Sequence, residues 1–169
     1  MQTIYRYFPR KDVLLLAVFE EVLAAGNAAV RDAVALLDDP VDRFRALVGA
    51  ALANDPPVAV DLDTAILVSL HTRLALLFPV EVEQAQHAFV EMLMSCIEEM
   101  VASGRVSPPM SIEADARLIN GLLGATYQRV ITTDGYDGRA AAAHVTAFCL
   151  AALGYVDQPL RTPVRKKAR

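Results

Sequence analysis

Near the start of the chain, Tyr5, Arg6, Tyr7, Arg10 and Lys11 bring hydroxyls and cations together, with no acid before Asp12. Such a set suits an anionic oxygen, because the hydroxyls donate hydrogen bonds and the cations supply charge. The distribution of charge also points to the ends. Arg6, Arg10 and Lys11, with Arg161, Arg165, Lys166, Lys167 and Arg169, make up half of the 16 basic residues. The other eight face all 20 acids between residues 12 and 160, leaving a net −12 on the body. An acidic body repels phosphate, so any nucleic-acid contact is expected from an end. The C-terminal RTPVRKKAR reads instead as a solvated, disordered tail.

Enzymatic chemistry has no comparable seat. The sequence carries no glycine-rich phosphate loop, no HExxH and no GxSxG. The pairs Glu20-Glu21 and Glu98-Glu99 are adjacent on helices, so they diverge around the axis and read as solvated faces. Cys96 and Cys149 stand far apart without a CxxC, as buried reduced thiols do, rather than as a disulfide or metal ligands. No metal and no cofactor is expected, and the chain is not read as an enzyme. Of the histidines, His71 reads as partly buried, and His87 and His144 as facing solvent or an interface.

The elements that must position these residues read as helices. The 169 residues are 54% apolar, with no Trp and an excess of Ala, Leu and Val, which suits one compact all-α domain. The longest apolar run, Val13 to Phe19, is followed by Glu20 and Glu21, short of the ~20 residues that cross a bilayer. With no secretory signal pattern either, the expectation is a soluble, cytosolic protein that does not enter a membrane.

A first helix is expected from Lys11 to Leu37, packed through Leu14, Val18, Val22, Ala25 and Ala29. Asp39-Pro40 starts a second, through Phe44, Leu47, Val48 and Ala51. The loop NDPPVAVDLD leads to Asp63, expected to cap a third helix that stops at Pro79. A long helix from Val80 to Ser103 carries Ala85, Phe89, Met92, Cys96 and Met100 on one face, with Gly104 as its stop.

The last two helices, Ile112 to Thr132 and Gly138 to Gly154, are rich in small residues: Gly121, Gly124 and Ala125 on one, Ala140 to Ala143, Ala147 and Ala151 on the other. Small side chains let helices approach closely, either within one subunit or as a four-helix bundle with a second copy. Composition leaves both open.

The stretch TIYRYFPRKDVLLLAV resembles the end of the helix-turn-helix domain of the TetR family of transcriptional regulators. There a recognition helix of pattern T-[LI]-Y-x-[YH]-F is followed by a short turn and a lysine that opens a long helix. Thr3, Ile4, Tyr5, Tyr7, Phe8 and Lys11 match it, and Leu14 and Leu15 continue it. Arg10 departs from it, standing where the family has a Ser or Asn cap. The resemblance implies DNA contacts from Thr3, Tyr5, Tyr7, Arg10 and Lys11, with Phe8 anchoring the turn. It also implies that the family's preceding helices lie outside this chain, which is then expected to bind operator DNA weakly or not at all.

The resemblance further implies a division into a remnant of the DNA-binding domain (1–10), a helical ligand-binding and dimerisation domain (11–156) and a basic tail (157–169). Leu70, His71, Leu74, Phe78, Phe89, Met92, Leu93, Cys96, Tyr127 and Gln128 would meet a small, mostly apolar effector. Leu118, Gly121, Leu122, Ala125, Ala143, Ala147 and Ala151 would form a homodimer from the last two helices. The implied function is a ligand-responsive transcriptional repressor that binds operator DNA when the missing helices are present. The alternative is a DNA-independent helical dimer that binds a small molecule or a protein partner.

Overall fold

The computed structural model describes residues 11–52, 71–133 and 135–157. Every element among them is helical: α1 (Lys11–Val34), α2 (Pro40–Leu52), α3 (residues 71–77), α4 (Pro79–Ala102), α5 (Ile112–Thr132) and α6 (Gly138–Ala152). The expected cap at Asp63 lies outside the described residues.

Local chemistry sets most of the boundaries. Asp39 Oδ1 accepts from the Val41 N–H at 2.8 Å, with Pro40 in the first helical position of α2. Ser111 Oγ accepts from the Ala114 N–H at 3.2 Å to start α5, and Asp137 accepts from the Arg139 and Ala140 N–H groups to start α6. Gly104 and Gly154 adopt φ of 70° and 68° just past α4 and α6. There the Arg105 N–H reaches the Met100 carbonyl and the Tyr155 N–H reaches the Leu150 carbonyl, closing the helix ends.

α2 is the central strut, packed against α6, α4, α5 and α1. Its Val41, Phe44, Leu47, Val48 and Leu52 are all fully buried, joined by Leu93, Ile97 and Met100 of α4 and by Ala116 of α5. A smaller cluster forms where Leu16 and Phe19 of α1 meet Leu74 of α3 and Val82 of α4.

Two expectations about faces are corrected. On α1 the inward residues are Leu16, Phe19, Asn27 and Val34, while Val18 is 42% exposed and Ala25 is exposed. On α4 they are Val82, Val90, Leu93, Cys96, Ile97 and Met100, while Ala85, Phe89 and Met92 are only partly buried. Both helices are apolar on more than one side, so periodicity admits several stripes and the neighbouring helices select one. α1 also ends at Val34, a turn before Leu37.

α1 corrects one more expectation, since it is long and apolar enough, by length and composition, to cross a bilayer. Glu20 and Glu21 break its apolar run without offsetting the rest of the helix. In this fold it serves as a packing helix, with Leu16 and Phe19 in the small cluster and Val34 in the main core.

Candidate functional site

His71 is the first described residue of α3 and lies on the border of the small cluster, its ring 5.8 Å from that of Phe19 and tilted by 36°. Its Nε2 lies 2.9 Å from Nε2 of Gln86 on α4. Gln86 Oε1 in turn accepts from Nδ2 of Asn120 on α5, at a longer 3.5 Å. Three half-buried polar side chains from three helices therefore form one relay inside an otherwise apolar contact. Burial holds the His71 imidazole below its ordinary pKa, which keeps it neutral at physiological pH.

The other residues expected to meet an effector divide between the two clusters. Leu74 and Phe78 join the small one, and Phe89, Met92, Leu93, Cys96 and Tyr127 the main one. Leu74 and Leu93 are packed core residues, at 1% and 0% exposure. Burial raises the Tyr127 hydroxyl above its ordinary pKa. Gln128 is exposed on α5, and Leu70 lies outside the described residues.

Both cysteines are buried and unbridged. Desolvation lifts the Cys96 and Cys149 thiols to about 11, so neither offers a thiolate at neutral pH. Among the described residues, no three His, Cys, Asp or Glu side chains gather as a metal site.

The residues expected to dimerise form an outward face except Leu122, which is half-buried against the main core. Leu118 is 63% exposed, and Gly121, Ala125, Ala143, Ala147 and Ala151 are also exposed. A methyl group at Gly121 or Gly124 would meet open space, so these glycines do not serve close packing within the subunit. Two shallow grooves run along α6, one lined by Ala143, Ala147 and Ala151 with Arg45 and Tyr155, the other by Leu122, Ala125, His144 and Phe148. His87 and His144 are exposed, as expected.

At the other end of the body, two arginines make ties that the sequence does not announce. Arg43 Nη1 donates to both carboxylate oxygens of Glu99 at 2.7 Å, and its Nε and Nη2 donate to the carbonyls of Leu37 and Asp38. Glu99 is therefore a structural partner and not a merely solvated acid. Arg105 donates to Asp39 Oδ2 at 2.6 Å and to the Tyr155 hydroxyl at 2.8 Å, and Tyr155 donates to Asp157.

Of the residues expected to contact DNA, Thr3, Tyr5, Tyr7 and Arg10 lie outside the described residues, whereas Lys11 is the exposed first residue of α1. No protein-family model and no curated protein sequence matches the chain. Among solved structures, it superposes on a bacterial regulatory protein of the tetR family from Rhodococcus RHA1 with a TM-score of 0.74. The two are 21% identical over 92% of this chain and 80% of that one. The fold is TetR-type.

Within this TetR-type fold, Gln86 and Asn120 are the residues of the relay that sequence reasoning missed. A signal for the first was present: Val82, Gln86, Val90, Leu93 and Ile97 share one helical stripe, in which an amide replaces an apolar residue. A polar side chain at such a position needs a hydrogen-bond partner from another helix.

Proposed function

We propose that the chain is a ligand-responsive transcriptional regulator of TetR type, acting as a repressor and working as a symmetric dimer. The observation that carries this reading is the fold itself. The TetR-like stretch Thr3 to Val18 runs into the long helix α1 of a body whose fold is TetR-type. Thr3, Tyr5, Tyr7, Arg10 and Lys11 supply DNA contacts when the family's preceding helices are present, and the two copies pair through the outward face of α5 and α6. A small, mostly apolar effector binds beside α3, α4 and α5 and changes the spacing of the paired DNA-binding ends. Catalysis has no part in this reading.

The test is recovery of genomic DNA crosslinked to the protein in its own cells. Enrichment of one or a few short sequences with dyad symmetry is expected, and uniform recovery would refute the reading. Uniform recovery with the dimer intact would favour the DNA-independent dimer instead. Ala147→Glu places a charge in the middle of the outward face and is expected to yield monomers by sedimentation. An unchanged dimer would assign the interface to another surface.

A further inference from the structure

The residues just past α6 are strapped to those just past α4. The Ser107 N–H donates to the Leu153 carbonyl and the Val156 N–H to the Arg105 carbonyl, both at 2.9 Å. Gly154 permits this approach, since a methyl group there would lie 3.3 Å from the Ser107 carbonyl oxygen. Tyr155 is thereby held where it both borders the groove of Ala143, Ala147 and Ala151 and offers its hydroxyl to Arg105.

Arg105 joins that tyrosine to the turn between α1 and α2. Its Nη2 donates to the Tyr155 hydroxyl at 2.8 Å and its Nη1 to Asp39 Oδ2 at 2.6 Å. The remaining nitrogen, Nε, is buried and has no hydrogen-bond partner among the described residues. A guanidinium is a planar, rigid fork, so its two Nη groups move together. With no third polar contact to hold the plane, a displacement at Tyr155 tips the fork at Asp39. The other oxygen of Asp39 caps α2, accepting from the Val41 N–H at 2.8 Å. One carboxylate thus closes the joint between α1 and α2 and receives the far end of a chain that begins on the outward face of α6.

We propose that Arg105 is a positioning residue that couples the outward face of α6 to the joint between α1 and α2, so that a second copy of the chain seated on that face stiffens the joint. This rests on the dimer reading above and adds to it a regulatory consequence of pairing. Tyr155 is half-buried in the single copy, and a partner over the groove excludes water that competes for its hydroxyl. The hydrogen bonds from Arg105 to Tyr155 and from Tyr155 to Asp157 strengthen as that water leaves, and the fork settles on Asp39. By linkage the effect is reciprocal, and whatever loosens the contact with Asp39 weakens pairing.

The test measures the dimer dissociation constant of the full chain by sedimentation over a dilution series. Asp39→Asn keeps a side-chain cap for α2 but removes the charge that Arg105 meets. It is expected to raise the constant roughly fivefold, although Asp39 lies off the groove. In a Tyr155→Phe background the same change is expected to have no further effect, because the chain of contacts is already cut. Asp38→Asn makes an equal change in net charge at an exposed neighbour and is expected to leave the constant unaltered. Amide exchange reads the joint directly. The Val41 N–H is expected to exchange more slowly in the dimer than after dilution, and Tyr155→Phe to remove that difference.

An intact dimer whose dissociation constant ignores Asp39→Asn, or responds as much to Asp38→Asn, would overturn the coupling and leave the dimer reading standing. A monomer at every concentration, or a dimer that Ala147→Glu does not disturb, would remove pairing through α6 and this proposal with it.

Discussion

The end of the body at the C-terminus of α1 is tied by arginines that reach across the chain, whereas the end at its N-terminus is closed mainly by apolar contact and a neutral relay, with one ion pair, more exposed, between Arg73 and Asp12. At the first, Arg43 and Arg105 gather the α1–α2 turn, α4 and the segment after α6 around the main core. At the second, Leu16, Phe19, Leu74 and Val82 are the buried members among the described residues, beside His71. The contrast teaches where this fold is rigid and where it has latitude. The tied end has redundant fastenings, and the other depends on a few contacts beside the residues expected to touch DNA.

The largest effects should appear in the core. Phe44→Ala, at a fully buried position of α2, is expected to cost about 3–5 kcal/mol in chemical denaturation. Phe19→Ala is expected to cost less, because the small cluster can collapse around the gap. Equal costs would break the comparison between the two ends.

Next come two glycines with opposite signs. A methyl group at Gly138 would strike the Leu52 carbonyl oxygen, backbone that cannot yield cheaply, so Gly138→Ala should destabilise by roughly 1–3 kcal/mol. Gly124→Ala enters open space within a helix and should raise stability by up to about 1 kcal/mol. A stabilising Gly138→Ala would mean that α2 and α6 approach less closely than described.

Arg43→Met should cost about 1–2 kcal/mol, because it removes the contact with a half-exposed Glu99 and frees two carbonyls. No change in midpoint would show that this end is held by apolar packing alone.

The smallest effects sharpen the comparison through pH. The hydrogen bond from Arg105 holds the Asp39 carboxyl below its ordinary 3.8, so its contribution is present above that pH and fades as the pH falls through the lower folded value. Burial depresses His71 from 6.5, so the unfolded chain takes up the proton first and stability declines as pH falls below 6.5. Asp39→Asn should remove the lower slope and His71→Leu the upper one. A stability curve flat between pH 5 and 7 would contradict the burial of His71.

Much of this arrangement was legible because much of it is local. The Asp39-Pro40 start, the Gly104 stop and the span Ile112–Thr132 follow from caps and turns that act over a few residues. The inward faces of α1 and α4 were not legible, since Val18 and Leu16 are equally apolar and only the neighbouring helices distinguish them. The arginine ties were hidden for another reason: Arg43 and Glu99 are 56 residues apart and Arg105 and Asp39 are 66 apart, so no short spacing links them. The relay stands between these cases. His71 was visible as a polar residue in an apolar run, but its partners depend on how three helices meet.

The turn after α1 has a consequence for leverage. Leu37 and Asp38 are gripped by Arg43 and Asp39 by Arg105, so the C-terminal end of α1 is anchored while its other end leads into residues 1–10. A helix of 24 residues is about 36 Å long at its usual rise, and a tilt of about 5° about the anchored end would swing the free end by about 3 Å. With its fulcrum at Asp39, α1 is a lever arm along which a shift near the middle is about doubled at Lys11.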